Sequence, residues 1–420
     1  MRRERYWLLQ LEREERITLF ATFSGWMLDG MDVMIFTFVM PSLITLWHIT
    51  RGQAGMLATS ALVLSSLGGW FAGLAADRFG RVRILQLTIA WFALFTFLSG
   101  FTSSFNQLLI VRGLQGLGFG GEWAVGSVLI GEKVRSRFRG RAVGTTQAGW
   151  AVGWAFAAGL YVVLFHFLPE SIAWRAMFWV GILPAGLALW MRGRVREPEV
   201  FSMTRRVPPA SIVRAMFSAS MMPVLLLTSI VALGAQGGYY AFNTFLPLYL
   251  QSRGLSVVAT TEYVVVVIAG AFSGYMTSAH LADALGRRLS MIFFACGAFF
   301  ALAAYLMVPL GSDVTLALGF AAGFFTSGAF GPMGSFFSEL FPTHLRASCQ
   351  GFAYNVGRAA GAFFPTMVGF ASSHIQLRLA IAGMSLTAYL VMIGAVLLLP
   401  ETRGRDLSGT AEQNLAHLNS

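Results

Sequence analysis

Uncharged stretches long enough to cross a bilayer recur along the whole chain, and this feature restricts the possible fold more than any other. Crossing the hydrocarbon core takes roughly 20 helical residues. Twelve such stretches can be drawn, at 17–41, 53–76, 84–102, 106–131, 141–166, 174–192, 219–249, 256–280, 289–309, 314–338, 347–372 and 378–400. Backbone groups in lipid have only each other to bond, so these segments must be helices. Composition agrees: 56% of the 420 residues are hydrophobic and 12% charged, against about a quarter charged in soluble domains. The sequence predicts an all-α membrane protein of twelve transmembrane helices.

A formal net charge of +11 would suit a nucleic-acid binder, so its distribution decides the matter. With the N-terminus placed in the cytoplasm, 24 of the 30 basic residues fall in cytoplasmic segments. Arg51, Arg175, Arg253 and Arg378 lie on the opposite side, and Arg112 and Arg358 lie within spans. This is the positive-inside bias, with both termini cytoplasmic, and nucleic acid is not needed to explain it. The start, MRRERYWLLQLEREER, mixes acids and bases over too many residues for a signal peptide, so the first span is expected to stay uncleaved. Cys296 and Cys349 make neither a disulfide framework nor a metal site.

The chain carries an internal duplication. DRFGR at 77–81 recurs as DALGR at 283–287, and the spacing Glu132, Arg139, Gly144 recurs as Glu339, Arg346, Gly351. Both pairs give an offset of six spans, which preserves orientation, so the halves are parallel repeats around a central cavity, as in transporters with a site near the midplane. The expected domains are a six-helix bundle at 1–192, a basic cytoplasmic linker at 193–218, a second six-helix bundle at 219–400 and a cytoplasmic tail at 401–420.

GLAADRFGRVR (73–83) resembles the cytoplasmic signature loop between the second and third helices of the major facilitator superfamily, and SAHLADALGRR (278–288) its echo in the second half. RGLQGLGFGGEWAVGSVLIGE (112–132), WRAMFWVGILPA (174–185) and PETRGRDL (400–407) extend the resemblance over nearly the whole chain. Within the superfamily, DGMD in the first helix and GGEW in the fourth are similar to the proton symporters for organic acids, the sialic acid, lactate and aromatic-acid permeases. Val82 stands where the signature loop is usually basic, and Ala284 replaces a basic residue in the echo.

The resemblance implies a cytoplasmic gate at Asp77, Arg78, Gly80 and Arg81, with Asp283, Gly286 and Arg287 in the echo. An Asp ahead of an Arg-rich turn can accept charge-assisted bonds from Arg or from a helix end, and Gly80 allows the reversal of direction. The plainer alternative is a basic turn that only obeys topology. Glu132 and Arg139, with Glu339 and Arg346, are expected to complete the latch. GLGFGG (116–121) lacks the preceding strand and the acid some 20 residues on that a nucleotide loop needs. It is expected to pack helices closely through small residues, as are Gly144, Gly149, Gly153 and Gly159.

Asp29 and Asp32 sit in GWMLDGMDVMIF, within a stretch from Ile17 to Thr50 that has no Lys or Arg. At 1.5 Å per residue they lie roughly 18 to 22 Å into the first span, and Arg112, on the inward-running fourth helix, falls at a depth similar to Asp32. Under the resemblance these positions match the acid and arginine that pair in proton-coupled porters. Asp29 lies one turn deeper on the same face, and Glu122 could extend a relay toward the cytoplasm. The alternative for each is a structural ion pair, but intramembrane charges usually face a polar cavity. A carboxyl that meets Arg112 in one conformation and not another changes its proton affinity with conformation, which is what proton coupling requires.

Arg358, in FAYNVGRAAGAFF (352–364), is the one deep charge of the second half. It can serve as a fork for a substrate carboxylate or as the partner of an acid on another helix. Asn355, Gln236, Tyr239, Tyr240 and Asn243 are candidate cavity groups beside it. The reading is a monomeric transporter of the bacterial inner membrane that carries a small organic anion, such as sialate, lactate or an aromatic acid, with protons by alternating access, without a cofactor or metal. A sugar or polyol symporter is the alternative if Arg358 is structural. A drug exporter is disfavoured by the acid-plus-Arg pattern, and a non-transporting nutrient sensor would want a longer cytoplasmic extension. No nucleophile, metal cluster or nucleotide motif has the spacing an enzyme needs.

Overall fold

The computed structural model describes residues 7–192, 194–195, 209–307, 313–342 and 345–403. Among the described residues there is no β-strand, and nine helical stretches are long and apolar enough to cross a membrane. The chain divides into two compact units, one of Met1–Thr204 with Leu250–Thr261, the other of Arg205–Tyr249 with Glu262–Ser420.

The first unit contains α1 (Arg13–Trp47), α2 (Arg51–Phe79), α3 (Arg81–Ser99), α4 (Phe105–Lys133), α5 (Ser136–Phe167), α6 (Glu170–Trp179) and α7 (Leu183–Arg192). Local chemistry sets the ends of these helices. Glu12 and Glu15 form a reciprocal capping box at the start of α1, and Thr50 and Gln53 another at the start of α2, each satisfying backbone donors that the first turn leaves open. Gly80 separates α2 from α3 at φ 106°, a conformation a side chain would resist, so the expected reversal falls on the expected residue. The predicted span 174–192 is not continuous: a 3-10 turn at Val180–Ile182 joins α6 to α7.

Small residues set how closely these helices approach. A Cβ on Gly116 would lie 3.0 Å from the Ala61 Cα, and one on Gly120 would lie 2.8 Å from the Gly69 nitrogen, so α4 rests on the α2 backbone. Gly149 brings α5 to within 2.7 Å of the Phe23 carbonyl by the same measure, and Gly153 meets Met27 and Met31. Gly159 departs from the expectation: nothing lies within 4 Å of its Cβ position, because it lies on the exposed face of α5, opposite the buried Ala157 and Ala158. Leu85, Ile89 and Phe92 of α3 pack with Ala72, Ala76, Val125 and Leu129 as one buried apolar cluster.

The second unit contains α8 (Pro209–Met216), most of α9 (Met222–Ser252), most of α10 (Val257–Leu285), α11 (Arg287–Met307), α12 (Asp313–Gly328), α13 (Gly331–Leu340), α14 (Arg346–Gly361), α15 (Phe363–Ala371) and α16 (Leu377–Leu398). Helix α11 packs against α12 and α16. Two predicted spans are again interrupted: 314–338 between α12 and α13, and 347–372 at Ala362 between α14 and α15. Gly286, at φ 98°, separates α10 from α11 as Gly80 separates α2 from α3.

Candidate functional site

In the first unit, α1 and α4 bring Asp32 and Arg112 together in a buried polar cluster. Asp32, Arg112 and Gln115 are each exposed by 3% or less. Arg112 Nη1 lies 3.9 Å from Asp32 Oδ2 and donates to Gln115 Oε1 at 2.7 Å, while Gln115 Nε2 donates to the same Asp32 oxygen. The guanidinium also lies over the Phe36 ring, 4.7 Å from its centroid, a favourable cation–π placement. Asp32 Oδ1 and Arg112 Nε are buried with no hydrogen-bond partner. The sequence reading paired Asp32 with Arg112 directly and missed Gln115. Its signal was the i, i+3 spacing from Arg112, which puts both side chains on one face of α4.

Asp29 and Glu122 form a second pair. Both are buried and their carboxyl groups are neighbours, and the Glu122 carboxyl lies against Gly25, whose Cβ position is 3.2 Å from the Glu122 Cδ. The four acids and bases expected to act together therefore stand as two neighbouring pairs on α1 and α4.

In the second unit, Arg358 on α14 is 1% exposed. Its Nε donates to Gln236 Oε1 and its Nη2 to Tyr354 Oη, both at 3.3 Å. The guanidinium lies 4.9 Å from the Tyr354 ring centroid, and Tyr240 is also in hydrogen-bonding contact with it. Gln236 is held in turn by donating Nε2 to the Tyr354 carbonyl at 3.1 Å. Of the expected residues, Gln236 and Tyr240 join Arg358. Asn243 and Asn355 instead donate to the carbonyls of Tyr239 and Gly351, one turn back on their own helices, although their Oδ1 atoms are buried without a partner. Tyr239 packs edge-on against Phe330, with centroids 5.5 Å apart. Tyr354 was missed, although it lies four residues before Arg358 on the same helix face.

Among the expected gate residues, Arg78 is exposed and lies over the Phe79 ring, and Arg81 is half-buried. The side chains of Asp77, Glu132, Arg139 and Asp283 lie outside the described residues. In the second unit, Arg287 pairs with Glu339 at 3.1 Å, and the Thr402 hydroxyl donates to the other Glu339 oxygen at 2.6 Å. Arg346 is within electrostatic reach of Glu339, but the direct ion pair that the structure describes for Glu339 is with Arg287, because α11 begins beside the end of α13. Glu401 caps α11 by accepting from the backbone nitrogens of Arg287 at 2.9 Å and Arg288 at 3.1 Å. Burial raises the Glu401 pKa, but four backbone donors together outweigh it and hold the carboxyl below its ordinary value. A comparable clamp in the first unit had no sequence signal: Arg135 binds Glu15 through Nε at 2.9 Å and Nη2 at 2.8 Å.

Two buried arginines on interrupted or Gly-lined helices, with Asp32 beside Arg112, describe a membrane protein that handles charge, and comparison with known proteins assigns its family. The model of the Major Facilitator Superfamily matches residues 22–365. The chain belongs to the major facilitator superfamily. It is therefore a multi-pass membrane transporter and not an enzyme. It is 42% identical over 401 residues to a probable 4-methylmuconolactone transporter of Cupriavidus pinatubonensis, covering 95% of this chain and 94% of that one. It is 32% identical over 369 residues to a cis,cis-muconate transport protein of Acinetobacter baylyi, covering 85% and 88%. Among solved structures it superimposes on the proton:xylose symporter XylE with a TM-score of 0.75, covering 96% and 99% of the two chains at 18% identity, a likeness of fold.

Proposed function

We propose that this transporter is a symporter of protons with a small organic anion, working by alternating access in a bacterial inner membrane. In this reading twelve helices form two parallel six-helix bundles, at 1–192 and 219–400, joined by the 193–218 linker, with both termini and the 401–420 tail in the cytoplasm, and the protein acts as a monomer. The observation that carries the reading is the setting of the two buried arginines. Arg112 has an acid at 3.9 Å, and Arg358 is held by the side chains of Gln236, Tyr354 and Tyr240. An acid beside an arginine suits a group that gains and loses a proton. A guanidinium oriented by amide and phenol suits a carboxylate brought from outside. Relatives named for muconolactone and muconate transport fit an acid substrate, and the resemblance to a xylose symporter, at 18% identity, does not extend to its sugar.

Asp29, Asp32, Arg112 and Glu122 are assigned to proton coupling and Arg358 to the substrate, with the turns at Gly80 and Gly286 and the Arg287–Glu339 pair as parts of cytoplasmic gates. The test is uptake into proteoliposomes under a pH gradient alone and under a potassium-diffusion potential alone. One proton entering with one monoanion moves no net charge, so a monocarboxylate responds to the pH gradient and scarcely to the potential. A neutral solute carried with a proton gains about 2.3 kcal/mol per 100 mV. Arg358→Lys, which keeps the charge but loses the planar fork, is expected to abolish carboxylate uptake. Strong potential-driven uptake of a neutral sugar, undiminished in Arg358→Lys, overturns the proposal.

A further inference from the structure

We propose that Gln115 is a positioning residue that transmits the charge state of Asp32 to Arg112, loosening its hold on the guanidinium only when Asp32 is protonated. The inference rests on the reading of Asp32 as a proton-coupling acid. It starts from the placement of one amide between two charges: Oε1 accepts from Arg112 Nη1 at 2.7 Å, and Nε2 donates to Asp32 Oδ2. An amide has one acceptor and one donor end, and here each faces the charge it suits. This orientation fits an ionised Asp32.

Protonation changes what the acid offers. A neutral carboxyl presents an O–H beside a carbonyl oxygen, the complement of a primary amide, and the two close a ring of paired hydrogen bonds. In that ring the Asp32 O–H donates to Gln115 Oε1, while Gln115 Nε2 still donates to the other carboxyl oxygen. The Thr96 hydroxyl beside the carboxyl donates to the Phe92 carbonyl at 2.9 Å, so the carboxyl has an oxygen available for the proton. Gln115 Oε1, with two lone pairs, is then shared between the Asp32 O–H and Arg112 Nη1. Arg112 loses its counter-ion and has its amide acceptor divided, while its Nε is already buried without a partner and its face remains against Phe36. A buried guanidinium without its counter-ion is costly, so the pair is poised to rearrange. The proton balance is simple: one proton is gained by Asp32, and no covalent bond to carbon changes.

The groups facing this cluster are compatible with such a switch. Arg112 on α4 faces Asp32 directly, and Asp29 lies one turn away on α1, engaged with Glu122 of α4. Helix α3 contributes the Thr96 hydroxyl beside the carboxyl, itself donating to the Phe92 carbonyl at 2.9 Å. Helix α5 carries no charged residue from Gly144 to Phe165, and its Tyr161 stacks on Phe38. Arg175 of α6 is committed to the carbonyls of Gly100 and Thr102 at 2.8 and 2.7 Å.

The experiment measures substrate counterflow against pH in proteoliposomes for wild type, Gln115→Leu, Gln115→Asn, Asp32→Asn and Asp32→Asn/Gln115→Leu. Without the bridging amide, Asp32 and Arg112 can close into a direct ion pair that resists protonation. Gln115→Leu is therefore expected to move the pH of half-maximal counterflow at least one unit toward acid, a tenfold rise in the proton concentration required. Gln115→Asn keeps an amide one methylene shorter and is expected to move it the same way, and it decides the matter if the Leu variant does not fold. The shift should vanish in the double variant, which shares the flat profile of Asp32→Asn. A wild-type midpoint in both Gln115 variants, with Asp32→Asn still uncoupled, overturns the role of Gln115 alone. A wild-type pH profile of counterflow in Asp32→Asn overturns the reading beneath it, and the inference with it.

Discussion

Replacing Asp32 by Asn removes one charge from a pair whose atoms stand 3.9 Å apart. At an effective dielectric constant of about 20, charges at that distance attract by about 4 kcal/mol. Breaking a buried pair from one side typically costs about 3–5 kcal/mol, because the remaining charge stays buried. Here Arg112 keeps the Gln115 oxygen at 2.7 Å and the Phe36 ring, which places the cost toward the lower end. Asp32→Asn is thus expected to melt at a lower temperature than wild type while remaining folded. Its transport phenotype is sharper. With one proton per anion, a gradient of one pH unit supplies about 1.36 kcal/mol, enough for about tenfold accumulation. A permanently neutral residue removes the need for that proton, so accumulation in Asp32→Asn should fall to equality across the membrane while counterflow of labelled against unlabelled substrate continues. Both are read in proteoliposomes of known internal volume. A variant that still concentrates substrate tenfold under one pH unit refutes Asp32 as the coupling group.

Helix packing gives a paired prediction. Gly120→Ala places a methyl 2.8 Å from the Gly69 nitrogen and against the Ser65 carbonyl, backbone that cannot turn aside, so a loss of about 1–3 kcal/mol is expected. Gly159→Ala, with nothing within 4 Å, should leave the thermal midpoint unchanged or raise it slightly, since Ala favours the helix by about 0.5–1 kcal/mol; equal destabilisation of both variants refutes the packing argument. At the start of α11, the lowered pKa of Glu401 means that its ionised form stabilises the helix cap. That contribution is complete above the ordinary carboxyl range, near about 4.3, and disappears as pH falls through the lowered folded value. Glu401→Gln should lower the thermal midpoint at pH 7 and remove this part of the acid dependence, and a variant with the wild-type acid profile sinks the assignment.

The membrane class and the helical segments were legible because hydropathy acts on each segment alone. The turns at Gly80 and Gly286 were legible for the same kind of reason: a reversal at positive φ is a local demand that glycine meets. Placing Asp32 level with Arg112 needed only residue counting along two opposed helices, since each residue advances a helix by a fixed rise. Depth leaves rotation undetermined, however, and rotation decides contacts. Only the packed unit places Gln115 between Asp32 and Arg112, Glu122 against Gly25 and Asp29, and Tyr354 under Arg358, because the facing of each helix is set by which small residues let backbones touch. It likewise turns Gly159 to an open face and directs the Asn243 and Asn355 amides back to their own helices. The pairing of Glu401 with the start of α11 joins residues more than a hundred positions apart, and no local property of either segment contains that proximity.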